Sequence, residues 1–109
     1  MKNGATGNSV KLSATEELIL GLLITKKSEL YGQQIVDLSG GEIKRGTVYV
    51  TLDRMQDKGL VDSREEERDP TRSGIVRRLY TPTGAGVRAY HAWVARRAGV
   101  LGLPIPALG

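Results

Sequence analysis

The helical spacing of apolar and polar residues in segment 45–61, RGTVYVTLDRMQDKGLV, predicts a short amphipathic helix. At about 100° per residue, one narrow apolar stripe forms. It consists of Val48, Leu52 and Met55. The opposite side carries small, polar and basic side chains, namely Thr47, Val50, Thr51, Arg54 and Lys58. Gly59 follows the last turn, where a residue with positive φ can end a helix. We therefore expect a helix with one buried face and one hydrated face.

A first helix is expected over residues 14–25, where leucine and isoleucine form a broad apolar face. Ser13 followed by Glu16 matches a capping box, in which each side chain accepts from the other residue's backbone N–H. Residues 1–11 are rich in Gly, Asn, Ser and Thr and carry no apolar period. They predict a flexible N-terminal arm.

A second, shorter helix is expected over residues 31–38. Its inward-facing residues are predicted to be Leu30, Ile35 and Leu38. The Ser-Gly-Gly sequence at 39–41 ends this helix, and a short link leads to the third. Three helices with a tight turn between the second and third predict a helix-turn-helix.

Strand character replaces helix character after Gly59. Residues 60–64 lead out of the third helix, residues 75–80 lead back, and a long charged and turn-forming tip separates them, so they predict a two-stranded hairpin, or wing, over residues 64–78. Thr83 then caps a fourth helix. Its apolar residues at helical spacing are Val87, Tyr90, Trp93 and Val94. This stripe is exposed unless something covers it, and the Gly- and Pro-containing apolar tail after it ends the regular helix.

Composition narrows the class of protein. The chain has 109 residues, a net charge of +4 and no cysteine. This length fits one small domain. The excess of basic over acidic residues favours a polyanionic partner, and the absence of cysteine excludes disulfides and thiolate chemistry. The longest apolar run, residues 18–24, is far below the roughly 20 residues of a membrane span. We expect a cytoplasmic protein that does not contact membranes.

Catalytic and metal sites find no support in the sequence. The single histidine, His91, has no acidic residue one helical turn away to orient it. The acidic run at 65–69 alternates with arginines, which indicates charge pairing on a solvated hairpin. The glycines form no GxxxxGK[ST] loop. We therefore expect neither an enzyme nor a bound cofactor.

Double-stranded DNA is the partner that the third helix and the wing predict together. The candidate base-facing residues are Thr47, Tyr49, Val50, Thr51 and Arg54. The candidate phosphate or wing contacts are Lys44, Arg45, Lys58, Arg72, Arg77 and Arg78. Tyr49 lies at the flank of the helix, so a packing role is equally open. Each element also has a simpler explanation, since the helix face alone fits a solvated surface and the wing a charged β-edge that resists aggregation.

Four segments resemble the PadR family of bacterial winged helix-turn-helix regulators. They are LILGLL in the first helix, YGQQI in the second, GTVYVTLDRMQDKGLV across the third and RRLYTPTGAG closing the wing. The resemblance covers residues 18–86. It implies a homodimeric repressor that binds a palindromic operator and is often released by a small molecule, with the fourth helix as the dimer contact.

Three departures from the family pattern stand out. Lys44 and Arg45 replace the usual Ser-Pro, which removes a helix cap and adds two charges. Val50 replaces the usual proline, which restores a backbone donor and offers an apolar base contact. The fourth helix is short and runs into the apolar tail, so the dimer geometry stays open.

We predict an α+β, mostly helical fold: a winged helix-turn-helix of three helices plus a two-stranded β-wing, with a C-terminal dimerisation helix. The expected divisions are an arm at 1–11, the DNA-binding domain at 12–83 and the dimerisation helix with its tail at 84–109. Tyr90 and Trp93 form a candidate pocket for a small aromatic effector, although such a stripe is more often interface core. The alternative function is a winged-helix protein-interaction module that uses the fourth helix and the tail.

Overall fold

The computed structural model describes residues 11–67 and 76–100, with the Val100 side chain excepted. These residues form four helices and a small three-stranded antiparallel sheet. In chain order the elements are α1 (Ala14–Lys26), β1 (Leu30–Tyr31), α2 (Gly32–Leu38), α3 (Arg45–Asp57), β2 (Val61–Glu65), β3 (Arg78–Pro82) and α4 (Gly84–Val100). This arrangement is a winged helix-turn-helix, as the sequence predicted. The expected N-terminal arm lies outside the described residues apart from Lys11. So does the expected apolar tail, apart from Gly99 and Val100, which continue α4.

Helix α1 begins with the capping box that its sequence predicts. The Ser13 hydroxyl accepts from the Glu16 N–H at 3.1 Å, and Glu16 Oε1 accepts from the Ser13 N–H at 2.9 Å. The helix ends at Lys27, whose φ of 56° is left-handed. Both ends therefore have local causes, and the prediction for this helix is confirmed.

The sheet has one strand more than the sequence indicated. β3 is central and pairs with β2 as the predicted hairpin, and also with β1, where Leu30 lies opposite Tyr80. β1 has only two residues, which is too short to show an alternating pattern. Its pairing connects the start of α2 to the base of the wing.

The core lies between α1, α2, α3 and the base of the sheet. Ile19, Leu20 and Leu23 of α1 are buried against Ile35 of α2. Leu38 was expected to face inward, but its side chain is 42% exposed. The α2–α3 link brings Ile43 into the core instead, held by a 3.0 Å bond from its N–H to the Ser39 hydroxyl.

Helix α4 packs against α1 and β3, and its first turn approaches Leu60, which follows α3. Thr83 caps it as predicted, since its hydroxyl accepts from the Gly86 N–H at 2.9 Å. Tyr90 and Trp93, expected to form an exposed stripe, are half-buried against the core cluster. The Trp93 indole donates to Glu17 Oε1 at 3.1 Å. None of the described helices is long and apolar enough to cross a membrane.

Candidate nucleic-acid interface

The two faces of α3 are separated as the sequence predicted for most positions. Val48, Leu52 and Met55 have no exposed surface, so they anchor the helix to the core. Four of the five candidate base-facing residues are exposed on its other sides: Thr47, Tyr49, Val50 and Arg54. Val50 keeps 55% of its surface exposed, which is high for valine, a residue type that is most often buried.

Thr51 is the exception, and its assignment as a base-facing residue is wrong. It is only 5% exposed, and its hydroxyl donates to the Thr47 carbonyl at 2.9 Å. Thr51 follows Val48 by three residues, so it lies beside the apolar stripe rather than opposite it. Its hydroxyl is satisfied within the helix and has no free direction towards a ligand.

The first residues of α3 carry the two cations that depart from the family pattern. Lys44 occupies the N-cap position without a side-chain capping bond. Arg45 donates from Nε and Nη2 to Gln33 Oε1 on α2, at 3.0 and 2.6 Å. Gln33 in turn donates from Nε2 to Asp37 Oδ1 at 2.9 Å. Lys44 and Arg45 are both exposed, and the second is held in a defined position.

Tyr49 combines packing with exposure. A Cβ on Gly32 would lie 2.4 Å from Tyr49 Cε1, so the ring rests directly on the first residue of α2. The side chain is nevertheless 49% exposed. The ring therefore needs a glycine beneath it and still presents one surface to solvent.

Lys58, at the end of α3, forms an ion pair with α1. Its Nζ lies 2.7 Å from Glu16 Oε2, and the lysine side chain is 44% exposed while the glutamate side chain is 4% exposed. Burial alone raises the pKa of Glu16, but the bonds from Lys58 and Ser13 outweigh it and hold the pKa below its ordinary value of 4.5. Because Glu16 offsets the lysine charge, less of that charge remains for a phosphate.

Both strands of the wing are attached to the body of the domain. Arg64 of β2 pairs with Glu29, with 2.6 Å between Nε and Oε2, and its hydrogen bonds lower the Glu29 pKa. The Arg77 guanidinium, just before β3, lies 4.5 Å from the centre of the Tyr31 ring. Residues 68–75, including the candidate contact Arg72, lie outside the described residues. The described part of the wing is thus tied to the segment that leads into α2.

The remaining cation in the described part of the wing, Arg78, pairs with the first residue of the acidic run. Arg78 lies 3.6 Å from Glu65 and donates to the Ser63 hydroxyl at 3.1 Å. Within residues 11–67 and 76–100, no group of three His, Asp or Glu side chains is placed to hold a metal ion. His91 contacts the Tyr90 ring, at 5.8 Å between ring centres.

The four residues predicted for the dimer contact are all half-buried, but they do not share one pocket. Tyr90 lines an open groove of about 510 Å³ between α1 and α4, with Gly21 and Arg97. Val87 lines a separate apolar groove of about 390 Å³ near the C-terminal end of α1. Trp93 lines neither of these two grooves. Tyr90 and Trp93 therefore both face α1, Trp93 through its bond to Glu17, but of the two only Tyr90 lines the groove.

Sequence reasoning missed Gln33 and the second role of Glu16. Gln33 contacts Arg45 across 12 residues, and Glu16 contacts Lys58 across 42. The Gln-Gln pair in YGQQI was a usable signal for the first contact, because the start of α2 approaches the start of α3 in a helix-turn-helix. The second contact had no local signal beyond the capping box.

Comparisons with known proteins agree with this geometry. The chain is similar to a PadR family transcription regulator from Clostridium difficile R20291, with 25% identity and a TM-score of 0.66 over 83% of this chain and 92% of that one. It is also similar to Bacillus subtilis PadR in complex with operator DNA, with 26% identity and a TM-score of 0.67 over 89% of this chain and 53% of that one.

The zinc-responsive MarR family member ZitR of Lactococcus lactis shares the fold, at 21% identity and a TM-score of 0.62. No curated protein matched the chain in sequence. Residues 19–92, which include all of α2 and α3 and the described wing, match the family described as transcriptional regulator PadR-like. The chain therefore belongs to the PadR-like family of transcriptional regulators.

Proposed function

We propose that this regulator binds a specific DNA sequence by inserting α3 into the major groove. The main support is that Thr47, Val50 and Arg54 are exposed on a helix whose other side is fixed in the core. Small and apolar side chains allow close approach to base edges, and an arginine can bond guanine O6 and N7. A rigid support is what such a helix requires, because base contacts depend on a fixed register.

The chemistry of the exposed residues divides into two roles. The methyl groups of Val50 and Thr47 can contact a thymine C5 methyl, and Arg54 can bond a guanine edge. Lys44 and Arg45 precede them at the helix start, where phosphates flank the groove. Asp53 and Asp57 are also exposed and repel phosphate, so we expect them to point along the groove rather than at the backbone.

The wing is proposed to contact the DNA backbone or the minor groove. Arg77 and Arg78 are the proposed phosphate contacts at the base of the wing, and Arg72 in the tip sequence is a third candidate. The stack of Arg77 on Tyr31 and the attachment of Arg64 to Glu29 support this role, since a wing held against the body approaches DNA in a fixed position.

The operator complex of Bacillus subtilis PadR supports DNA as the partner. The present chain spans about half the length of that protein, so assembly is a separate proposal. We propose a homodimer formed through the α4 residues Val87, Tyr90, Trp93 and Val94, acting as a repressor on a palindromic site. Sedimentation equilibrium should give twice the chain mass, and a monomer at concentrations that saturate the operator would contradict the dimer.

A titration of labelled duplex from the regulator's own promoter region tests the function. We expect clear preference over a shuffled duplex of equal length and composition, with affinity falling as salt rises. Equal binding to both duplexes, at the weak level of about 10⁻⁴ to 10⁻⁶ M, would overturn the proposal and favour the protein-interaction module.

Replacing Arg54 with alanine should selectively weaken operator binding. Loss of a bidentate guanine contact costs about 1 to 3 kcal/mol and relaxes preference at that base, with little change for shuffled DNA. Fluorescence anisotropy on both duplexes measures the difference. Arg77→Ala is the matched comparison, because loss of a backbone contact should weaken both duplexes about equally and lower the salt slope by about one unit. Similar behaviour of the two variants would contradict the assigned roles.

A small aromatic effector is the last component of the proposal. Tyr90 and Trp93 lie on the α4 surface that faces α1, where a ligand would alter the proposed dimer contact. The chain has one tryptophan, so its emission reports on this surface directly. Saturable quenching by phenolic compounds, accompanied by release of DNA, is expected. Quenching that rises linearly with concentration would indicate that these rings are interface core.

A further inference from the structure

The guanidinium of Arg45 is held by α2 before any DNA arrives. Gln33 Oε1 accepts from its Nε and Nη2, and Asp37 fixes Gln33 in turn through a 2.9 Å bond. Three side chains thus form a line from the surface of α2 to the first residue of α3. Gln33 is not a core residue, since its side chain is only partly buried. Its Oε1 and Nε2 atoms are both used in these hydrogen bonds to Arg45 and Asp37.

The remaining donors of Arg45 define which contact it can make. An arginine carries five N–H donors, and Gln33 takes the one on Nε and one on Nη2. Both donors on Nη1 and one on Nη2 stay available, and one from each nitrogen forms a parallel end-on pair. Such a pair matches two oxygens of a phosphate group.

The partner of Arg45 is a neutral amide, whereas three other cations near the interface pair with carboxylates. Lys58, Arg64 and Arg78 each pair with a glutamate, so their charges are largely offset locally. The amide of Gln33 orients the guanidinium without cancelling its charge. Arg45 therefore keeps more of its charge for a phosphate than a cation paired directly with a glutamate, although Asp37 lies at the far end of the same line. Its side chain is already ordered before binding, which lowers the entropy cost of the contact.

We propose that Gln33 is a positioning residue that aims Arg45 at a DNA phosphate beside the recognition helix. This inference rests on the proposed DNA-binding function and adds α2 to the elements that determine its affinity. Preorganising one long side chain is expected to strengthen operator binding roughly 3- to 10-fold. The effect should be expressed only when Arg45 is present.

A double-mutant cycle on the promoter duplex tests this coupling. Gln33→Met keeps the length of the side chain but removes the acceptor, and we expect operator affinity to fall roughly 3- to 10-fold. Arg45→Ala should reduce affinity further and lower the salt slope by about one unit. Adding Gln33→Met to Arg45→Ala should change nothing more. Thermal unfolding followed by circular dichroism should be the same for wild type and Gln33→Met.

A second variant separates orientation from charge. Gln33→Glu keeps an acceptor for Arg45 and adds a negative charge, although it loses the N–H that donates to Asp37. It should still pair with Arg45 and lower the salt slope as Arg45→Ala does, because the new carboxylate offsets the arginine charge. A Gln33→Met effect that persists without Arg45, or an unchanged salt slope in Arg45→Ala, would overturn the inference. A wild-type protein that binds promoter and shuffled duplexes equally contradicts the proposed function itself, so the two failures are distinguishable.

Discussion

Gly86→Ala should destabilise the domain by about 3 kcal/mol, which is the largest effect that we expect from a single small substitution. A Cβ at this position would lie 2.0 Å from the Leu60 carbonyl oxygen and 3.0 Å from the Leu60 carbonyl carbon. These are backbone atoms, so no side-chain rotation relieves the clash. The first turn of α4 would have to move away from the end of the third helix.

The surrounding bonds resist that movement. The Leu60 carbonyl accepts from the Thr83 N–H at 3.1 Å, and the Thr83 hydroxyl donates to the Gly59 carbonyl at 2.6 Å while accepting from Gly86. The glycine therefore lies inside a closed set of contacts that joins α3, β3 and α4. Separation of these segments would break the cap of α4 as well as its packing.

Gly46→Ala is the matched control for this prediction. Gly46 is the second residue of α3, as Gly86 is the third of α4, but a Cβ there meets no atom within 4 Å. Alanine is the better helix former, so we expect stability within about 1 kcal/mol of wild type, on the stabilising side. Denaturant unfolding followed by circular dichroism measures both variants. Equal midpoints for Gly86→Ala and wild type would show that α4 does not approach Leu60 as closely as described.

Local signals predicted those parts of the fold that have local causes. The capping box of Ser13 and Glu16 defined the start of α1, and the three-residue stripe of α3 defined its buried face. The boundary of that face was harder to predict. Thr51 is buried because it shares a face with Val48, three residues earlier, and because α1, α2 and β2 all pack on α3 and cover a wider arc than the stripe indicates.

Contacts between distant segments explain the rest of the differences. β1 exists because Leu30 pairs with Tyr80, 50 residues further along the chain, and a two-residue strand has no pattern of its own. Leu38 is exposed, whereas Ile43 from the short α2–α3 link is buried in the core. In both cases the deciding partner is supplied by tertiary structure, which intrinsic propensity does not contain.

The electrostatics of the candidate interface followed the same rule. The sequence predicted Lys58 and Arg78 as phosphate contacts, yet each has an acidic partner, Glu16 and Glu65 respectively. Arg45 has a neutral partner, and Arg77 lies on an aromatic ring. Basic residues of equal appearance in the sequence therefore differ in the charge that they can offer to DNA.

The pair formed by Glu16 and Lys58 should be strongly asymmetric in its response to mutation. Glu16 is almost fully buried and also completes the capping box, whereas Lys58 remains nearly half exposed. Removing the lysine leaves a buried carboxylate without a counter-ion, which is costly. Replacing the glutamate with glutamine removes the charge but keeps an acceptor for the Ser13 N–H.

We therefore expect Lys58→Met to destabilise the domain by about 2 to 3 kcal/mol at pH 7. This is less than the cost of breaking a fully buried ion pair, because the lysine reaches solvent. Glu16→Gln should cost about 1 kcal/mol. The double variant should be close to Glu16→Gln alone, because no buried charge is then left unpaired. Urea unfolding gives all three values, and a double variant whose loss equals the sum of the single losses would contradict the asymmetry.

The pH dependence of this cycle has a defined sign. In the wild type, Lys58 and Ser13 hold the Glu16 pKa below 4.5, so the pair stabilises the fold above that value and its contribution is lost as pH falls through the lower, folded pKa. In Lys58→Met, burial acts without the ion pair and raises the Glu16 pKa relative to the wild type. The carboxyl is therefore protonated at a higher pH in the variant, and protonation removes the cost of the unpaired buried charge. The stability difference between wild type and Lys58→Met should thus shrink steadily as pH falls from 7 towards 3. The difference between wild type and Gly86→Ala should not, since no titrating group contributes to that clash. A Lys58→Met penalty that stays constant over this range would show that it does not arise from the charge of Glu16.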